Sequence, residues 1–215
     1  MDILCISGSN ISVARKNSAS THACELIAEM VHTQRPDARV KIAPLIDAHL
    51  KPCKMCGKCF DKLKCPHDGD FNDLHALMSA ANAIFLVCPH YAPLPSKVMI
   101  VLEKLQEMMY LRSCAQADYH FTLYKKPLGI VAHGGQTNEA LPYYKTALLD
   151  PLTNAFAGVQ MDVVGAGDEW PNGVTFGIRS ITKPADSLFV SIEHDWDDVR
   201  ARIAPLVKNV LARIG

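Results

Sequence analysis

Ala83-Ile84-Phe85-Leu86-Val87-Cys88-Pro89 is the stretch on which the fold turns. Its apolar run is unbroken, strand-length and rich in β-branched and aromatic side chains, which reads as a strand buried on both faces. It ends at Cys88-Pro89 in a loop punctuated by proline, His90 to Pro95. Upstream, Ile3-Leu4-Cys5-Ile6 has the same character and stops at Ser7-Gly8-Ser9-Asn10. Val40-Lys41-Ile42 alternates toward Pro44, and Leu128-Gly129-Ile130-Val131-Ala132 closes in His133-Gly134-Gly135. Met161-Asp162-Val163-Val164 supplies a fifth strand.

Helical spacing fills the gaps between these strands. Ala23, Leu26, Ile27, Met30 and Val31 recur on one face, and Leu74, Leu77 and Met78 follow Asp70 as an expected N-cap. A helix from Ser96 carries Val98, Val101, Leu102 and Leu105 to Met109, and another runs through Leu141, Tyr144, Leu148 and Leu152. The last begins near Asp195 and buries Val199, Ile203, Leu206, Val207, Val210 and Leu211. Strands alternating with helices make a parallel sheet covered on both faces. Right-handed crossovers then favour an α/β, doubly wound, flavodoxin-like five-stranded sheet of order 2-1-3-4-5. Ligands of such sheets lie beyond the carboxyl ends of the strands, so the loops after strands one, three and four carry the functional expectation.

The 215 residues suit one domain over 1–215, with a cysteine-rich loop at 51–69 after strand two and a C-terminal extension at 166–215. Basic and acidic residues balance at 22 each, which gives no footprint for nucleic acid or an anionic membrane surface. No apolar run reaches the roughly 20 residues of a membrane span. Eight cysteines with no secretory signal ahead of them are expected in a reducing, cytoplasmic setting.

Four of those cysteines form the run Cys53-x2-Cys56-x2-Cys59-x5-Cys65, with Pro66 next. Thiolates two residues apart can wrap a small inorganic core while backbone N–H groups turn toward its sulfides, the logic of a [4Fe–4S] cluster. Structural zinc usually takes two Cys-x2-Cys knuckles with a dozen or more residues between them, and this run lacks the spacer. Disulfides and unligated thiols are the other readings. Cys5, Cys24 and Cys88 lie on expected strands and helices, where thiols pack as small hydrophobes, and Cys114 falls in a loop-like stretch.

The loop after strand one, Ser9 through Thr21, holds Ser9, Arg15, Asn17, Ser18, Ser20 and Thr21 ahead of a helix. Hydroxyls, cations and free helix amides together suit a phosphate. The stretch matches neither the dinucleotide glycine pattern nor a Walker loop. Pro89, His90, Tyr91, Ala92, Pro93 and Leu94 add a rigid backbone and two rings, and His133, Gly134 and Gly135 allow close backbone approach. A flat isoalloxazine asks for that combination.

Ser7-Gly8-Ser9 with Arg15 and Ser18, the compact cysteine run, Pro89-His90-Tyr91, Lys126-Pro127 leading to Gly134-Gly135, and Val163-Val164-Gly165 form one pattern. It resembles the iron–sulfur flavoproteins within the NADPH-dependent FMN reductase, flavodoxin-like superfamily, over most of residues 1–165. The resemblance implies FMN held by its phosphate at Ser9, Arg15, Ser18 and Ser20, with Asn17 or Thr21 beside it, and its ring on Pro89 to Leu94 and Gly134-Gly135. It implies a [4Fe–4S] cluster on Cys53, Cys56, Cys59 and Cys65 as metal ligands, and electron transfer with no protein acid or base. It also implies a homodimer or homotetramer, ferredoxin or NAD(P)H as donor, and a small acceptor such as a quinone or an oxygen species. A cluster-free NAD(P)H-dependent FMN or quinone reductase is the alternative, and a non-enzymatic redox carrier or sensor with a cysteine–metal site is another. His133 stands where many of these relatives carry a small hydroxyl residue.

Overall fold

Strand β1 (Asp2–Ser7) lies between β2 (Arg39–Pro44) and β3 (Ala83–Pro89), parallel to both, with Cys5 opposite Ile42 on one side and Phe85 on the other. The structure, a computed structural model, describes residues 1–11, 17–186, 188 and 190–215. Every residue of β3 is buried, as its unbroken apolar run requires of a central parallel strand. Strand β4 (Pro127–Thr137) pairs with β3 on its outer side, giving the order β2-β1-β3-β4.

The far edge of β4 departs from expectation. Strand β5 (Asp162–Val164) covers only Pro127 to Gly129. The chain then leaves the edge and returns as β6 (Val174–Ile178), parallel to β4 from Val131 to Thr137. A segment assigned to the C-terminal extension therefore completes the sheet. Gly173 makes the return possible: its φ is +137°, and a Cβ there would stand 2.4 Å from the Ile130 carbonyl oxygen. The expected loop His133-Gly134-Gly135 is also strand, because β6 supplies the partner that keeps β4 extended.

Helices α1 (Ala19–Gln34) and α6 (Trp196–Ala212) cover one face of the sheet, over Ile3, Cys5, Phe85, Val87 and Val131. Helices α2 (Gly69–Ala80), α3 (Ser96–Ala115) and α5 (Asp150–Gly158) cover the other, over Leu4, Ile6, Ile84, Leu86 and Ile130. Odd and even strand positions thus go to different cores, the period-two signature of a strand. The helix expected through Leu141 to Leu152 is α4 (Leu141–Tyr144), a π-helical turn at Lys145–Leu149, and then α5. Helix α2 is capped by Asp68 rather than Asp70: the Asp68 carboxylate accepts from the Phe71 amide at 3.0 Å. Asp70 lies inside the first turn and accepts from the His49 amide. Cys114 is an exposed residue near the end of α3, not in a loop. A small hairpin of β7 (Ser180–Thr182) and β8 (Ser191–Glu193) precedes α6.

Candidate functional site

Where β1, β3, β4 and β6 end, the chain leaves a cleft of about 290 Å³ lined by Ser9, Ser18, Ser20, Pro89, His90 and Tyr91 and by His133, Gly134 and Gly135. Ile11, Ile178, Ile192 and His194 close its other sides. The first three serines arrive there because β1 stops at Ser7 and α1 starts at Ala19. Ser18 caps α1, accepting from the Thr21 amide at 3.2 Å, and a helix start of this kind faces an anion with its first-turn amides. Ser9 is buried and accepts from the Ile11 amide.

Two hydroxyls expected beside a phosphate have partners within the protein. Ser20 Oγ bonds His133 Nε2 at 2.8 Å, and Thr21 Oγ1 lies 2.9 Å from Ser7 Oγ and 3.0 Å from Ser18 Oγ. Asn17 lies on a neighbouring cleft with His22, His194 and Trp196. Arg15 lies outside the described residues. Ala92 and Pro93 are exposed and do not line the cleft; Leu94 packs on the α2–α3 core.

His133 is a wall of the site and not a free base. Its ring lies parallel to Phe176, 4.7 Å between centroids, and burial with the nearby His194 pushes its pKa down to about 3. A neutral imidazole is thereby fixed under the cleft, bonded to Ser20. His90 stands differently: its amide donates to the His133 carbonyl at 2.6 Å, and its ring meets the Tyr143 hydroxyl at 3.0 Å. Tyr144 packs under Gly134 so closely that a Cβ at that glycine would fall 2.4 Å from the phenol, whereas Gly135 faces open space. The Tyr144 hydroxyl accepts from the Gln136 amide at 2.8 Å, and burial pushes the phenol's pKa up.

The residues fit a flavin. Tyr91 lines the cleft, and among the described residues its buried hydroxyl has no hydrogen-bond partner. An orphan of that kind costs about 1–3 kcal/mol unless a ligand or water meets it. Missed from the sequence as site residues were Tyr143, Tyr144 (read only as part of a helix's apolar face), Ile178, Ile192 and His194. The aromatic Tyr143-Tyr144 pair just after a strand-end loop was the one available signal.

The cysteines form a second place. Cys53, Cys56, Cys59 and Cys65 all line one pocket against Lys104, Glu107 and Met108 of α3. It encloses about 20 Å³ and shares no lining residue with the cleft. Met55 and Gly57 hold positive φ, 49° and 66°, which turns the chain back over the thiols. The Met55 amide points at Cys53 Sγ (3.5 Å) and Lys104 Nζ at Cys65 Sγ (3.4 Å). Among the described residues, no three His, Cys, Asp or Glu side chains are gathered as a single ion needs. Burial works against the Lys104 charge, but its hydrogen bonds to Asp68 and Cys65 outweigh it and hold its pKa above the ordinary lysine value. Cys5, Cys24 and Cys88 are buried free thiols in the cores, as expected.

Among the described residues no helix is long and apolar enough to cross a membrane. No curated protein matches the chain. An oxidoreductase from Corynebacterium diphtheriae superposes with a TM-score of 0.60 at 14% identity, over 99% of this chain and 96% of that one. The apo form of the NADH:FMN oxidoreductase EmoB superposes at 0.56 and 19% identity, over 100% and 90%. RosB, solved with bound 8-demethyl-8-formylriboflavin-5'-phosphate, superposes at 0.56 and 13% identity, over 100% and 82%. At these identities the likenesses speak for the fold. The family is given by residues 1–167, which match the model of the NADPH-dependent FMN reductases, and the chain belongs to that family of flavin-dependent oxidoreductases.

Proposed function

We propose that the protein is an FMN-dependent oxidoreductase that passes electrons between flavin in the strand-end cleft and a [4Fe–4S] cluster on Cys53, Cys56, Cys59 and Cys65. The observation that carries the second half is that all four cysteines line one pocket, with N–H donors already aimed at two of the sulfurs. Hydrogen bonds to sulfur are what an iron–sulfur site uses to set its potential. Zinc–sulfur bonds of about 2.3 Å would draw the thiols around one point, whereas a four-iron core is bulkier and takes its ligands further apart. Four thiolates on one short loop are a donor set for such a cluster, and the stretch Lys54 to Lys58, with Met55 and Gly57 left-handed, is the wall that must yield to admit it.

The chain's own contribution at the cleft is binding and exclusion of water. Ser9, Ser18 and the first amides of α1 take the phosphate; Arg15, Asn17, Ser20 and Thr21 belong to the same segment. Pro89, His90 and Tyr91 flank the ring, with Gly134 and Gly135 giving its edge access to the backbone; Ala92, Pro93 and Leu94 hold that loop's shape. FMN, when bound, supplies the exchange between two-electron and one-electron chemistry. His133, neutral at every ordinary pH, packs and bonds without titrating beside it. NAD(P)H or ferredoxin serves as donor and a quinone or oxygen species as acceptor. Because the two sites share no lining residue, a homodimer or homotetramer that faces one copy's cleft with another copy's cysteines supplies the route.

Iron, acid-labile sulfide and FMN per chain, measured on anaerobically purified protein, test this reading. Iron and sulfide at about four each beside FMN, with Cys59→Ser losing iron and keeping flavin, is the expected result. Flavin without iron sinks the cluster and leaves the cluster-free NAD(P)H-dependent reductase.

A further inference from the structure

Lys104 sits where an apolar residue would serve packing better. Its side chain is 2% exposed, between Val101, Leu105 and Met108 on the buried face of α3. Placing an ammonium there costs several kcal/mol of desolvation, even when paired. Its carboxylate partner, Asp68, is 1% exposed and lies 3.0 Å away. That carboxylate does not depend on the lysine alone, since the amides of Phe71 (3.0 Å) and Lys51 (2.8 Å) also donate to it. Among the described residues the ammonium also meets the Phe71 ring, 5.3 Å from Nζ, and Cys65 Sγ at 3.4 Å, while the buried Glu107 lines the same pocket beside Cys59. Asp68 thus holds the lysine so that one donor is left for the sulfur.

We propose that Lys104 is a positioning residue of the cysteine site, fixed by Asp68 to donate a hydrogen bond and a positive charge to the Cys65 sulfur, and that it raises the reduction potential of the iron–sulfur group bound there. This rests on the cluster reading above. Reduction adds negative charge to a cluster and its thiolates, and a buried cation at one sulfur stabilises the reduced form more than the oxidised one. The effect is large there because the pair is screened by little solvent. Cys53, by contrast, receives only the longer backbone contact from Met55, so the four ligands are unequal.

The test uses anaerobically prepared, iron-loaded protein with FMN bound, as wild type, Lys104→Met, Lys104→Arg and the double variant Lys104→Met with Asp68→Asn. Iron and sulfide are counted first, and the cluster midpoint is then measured by a redox titration followed by electron paramagnetic resonance. Lys104→Met is expected to keep its iron and to shift the reduction equilibrium at least tenfold toward the oxidised form, about 59 mV for a one-electron couple. Lys104→Arg should fall between it and wild type, because the charge remains. The double variant removes the carboxylate along with the lysine, so it should shift the same way by less, and it decides the matter if the single variant does not fold. The flavin midpoint should stay in place throughout. An unmoved or raised cluster midpoint in iron-loaded variants overturns the role of Lys104 and leaves the cluster standing. Wild type without iron and sulfide overturns both.

Discussion

The strand-end cleft and the cysteine pocket are built on opposite plans. The cleft takes its shape from strand ends: Ser7, Pro89 and Thr137 stop where the sheet stops, and its lining residues come from several separate segments gathered there. The cysteine pocket is a loop between β2 and α2 whose thiols are all side-chain groups, fastened to α3 by Lys104 and Asp68. A sheet edge is rigid because both its faces are packed, so a site there is shared among many residues held by the sheet. A loop site has no such scaffold and depends on a few strong contacts. Damage to single side chains should accordingly cost the loop more than the cleft.

The sharpest contrast is the buried ion pair. Lys104→Met leaves Asp68 buried without its cation and should cost about 3–5 kcal/mol of stability, much of which Asp68→Asn restores in the double variant. Urea unfolding at pH 7 reads both; a single variant within 1 kcal/mol of wild type would mean that water reaches the pair. At the cleft, Gly134→Ala drives a methyl into Tyr144 and should cost about 1–3 kcal/mol and weaken FMN. Gly135→Ala, with open space before it, should change stability by no more than about 0.5 kcal/mol. Thermal melts with FMN titrations would break the contrast if the two variants behaved alike.

Acid separates the regions further. His133 is held neutral with its pKa near 3 in the folded protein, against about 6.5 unfolded. Between those values the unfolded chain binds the extra proton, so stability is complete above about pH 6.5 and falls as pH drops, by about 1.4 kcal/mol per pH unit from this group. His133→Gln should flatten that slope between pH 6.5 and 4.5, as followed by urea midpoints. Ser18→Ala should remove the α1 cap for about 1 kcal/mol and lower FMN affinity; unchanged affinity would move the phosphate away from that helix end.

Much of this was legible beforehand. β3 could be read because five consecutive apolar residues have no other stable place than a covered strand, and the cysteine run could be read because its spacing is local. The edge of β4 could not. Nothing in Val174-Thr175-Phe176-Gly177-Ile178 distinguishes a strand that rejoins the main sheet from one in an appended hairpin; that depends on Gly173 passing the Ile130 carbonyl. Nor could the partners of the Ser20 and Thr21 hydroxyls be read, because side-chain direction in a first helical turn is invisible in a list of hydroxyls. The cap at Asp68 displaced Asp70 because capping is set by backbone conformation and not by residue type, which the two share.

What the sequence determined by itself is whatever rests on contiguous residues: the buried strands, the alternation with helices, the four thiols within thirteen residues and the hydroxyl-rich first loop. Only the tertiary structure decided which distant groups meet. It set His133 on Phe176 and Ser20, Tyr143 on His90, and an ammonium from α3 on the sulfur of Cys65. Periodicity records which face of an element is buried, but the partner on that face comes from how the elements pack. A buried lysine is the plainest case, because along the chain it reads as one more exposed charge.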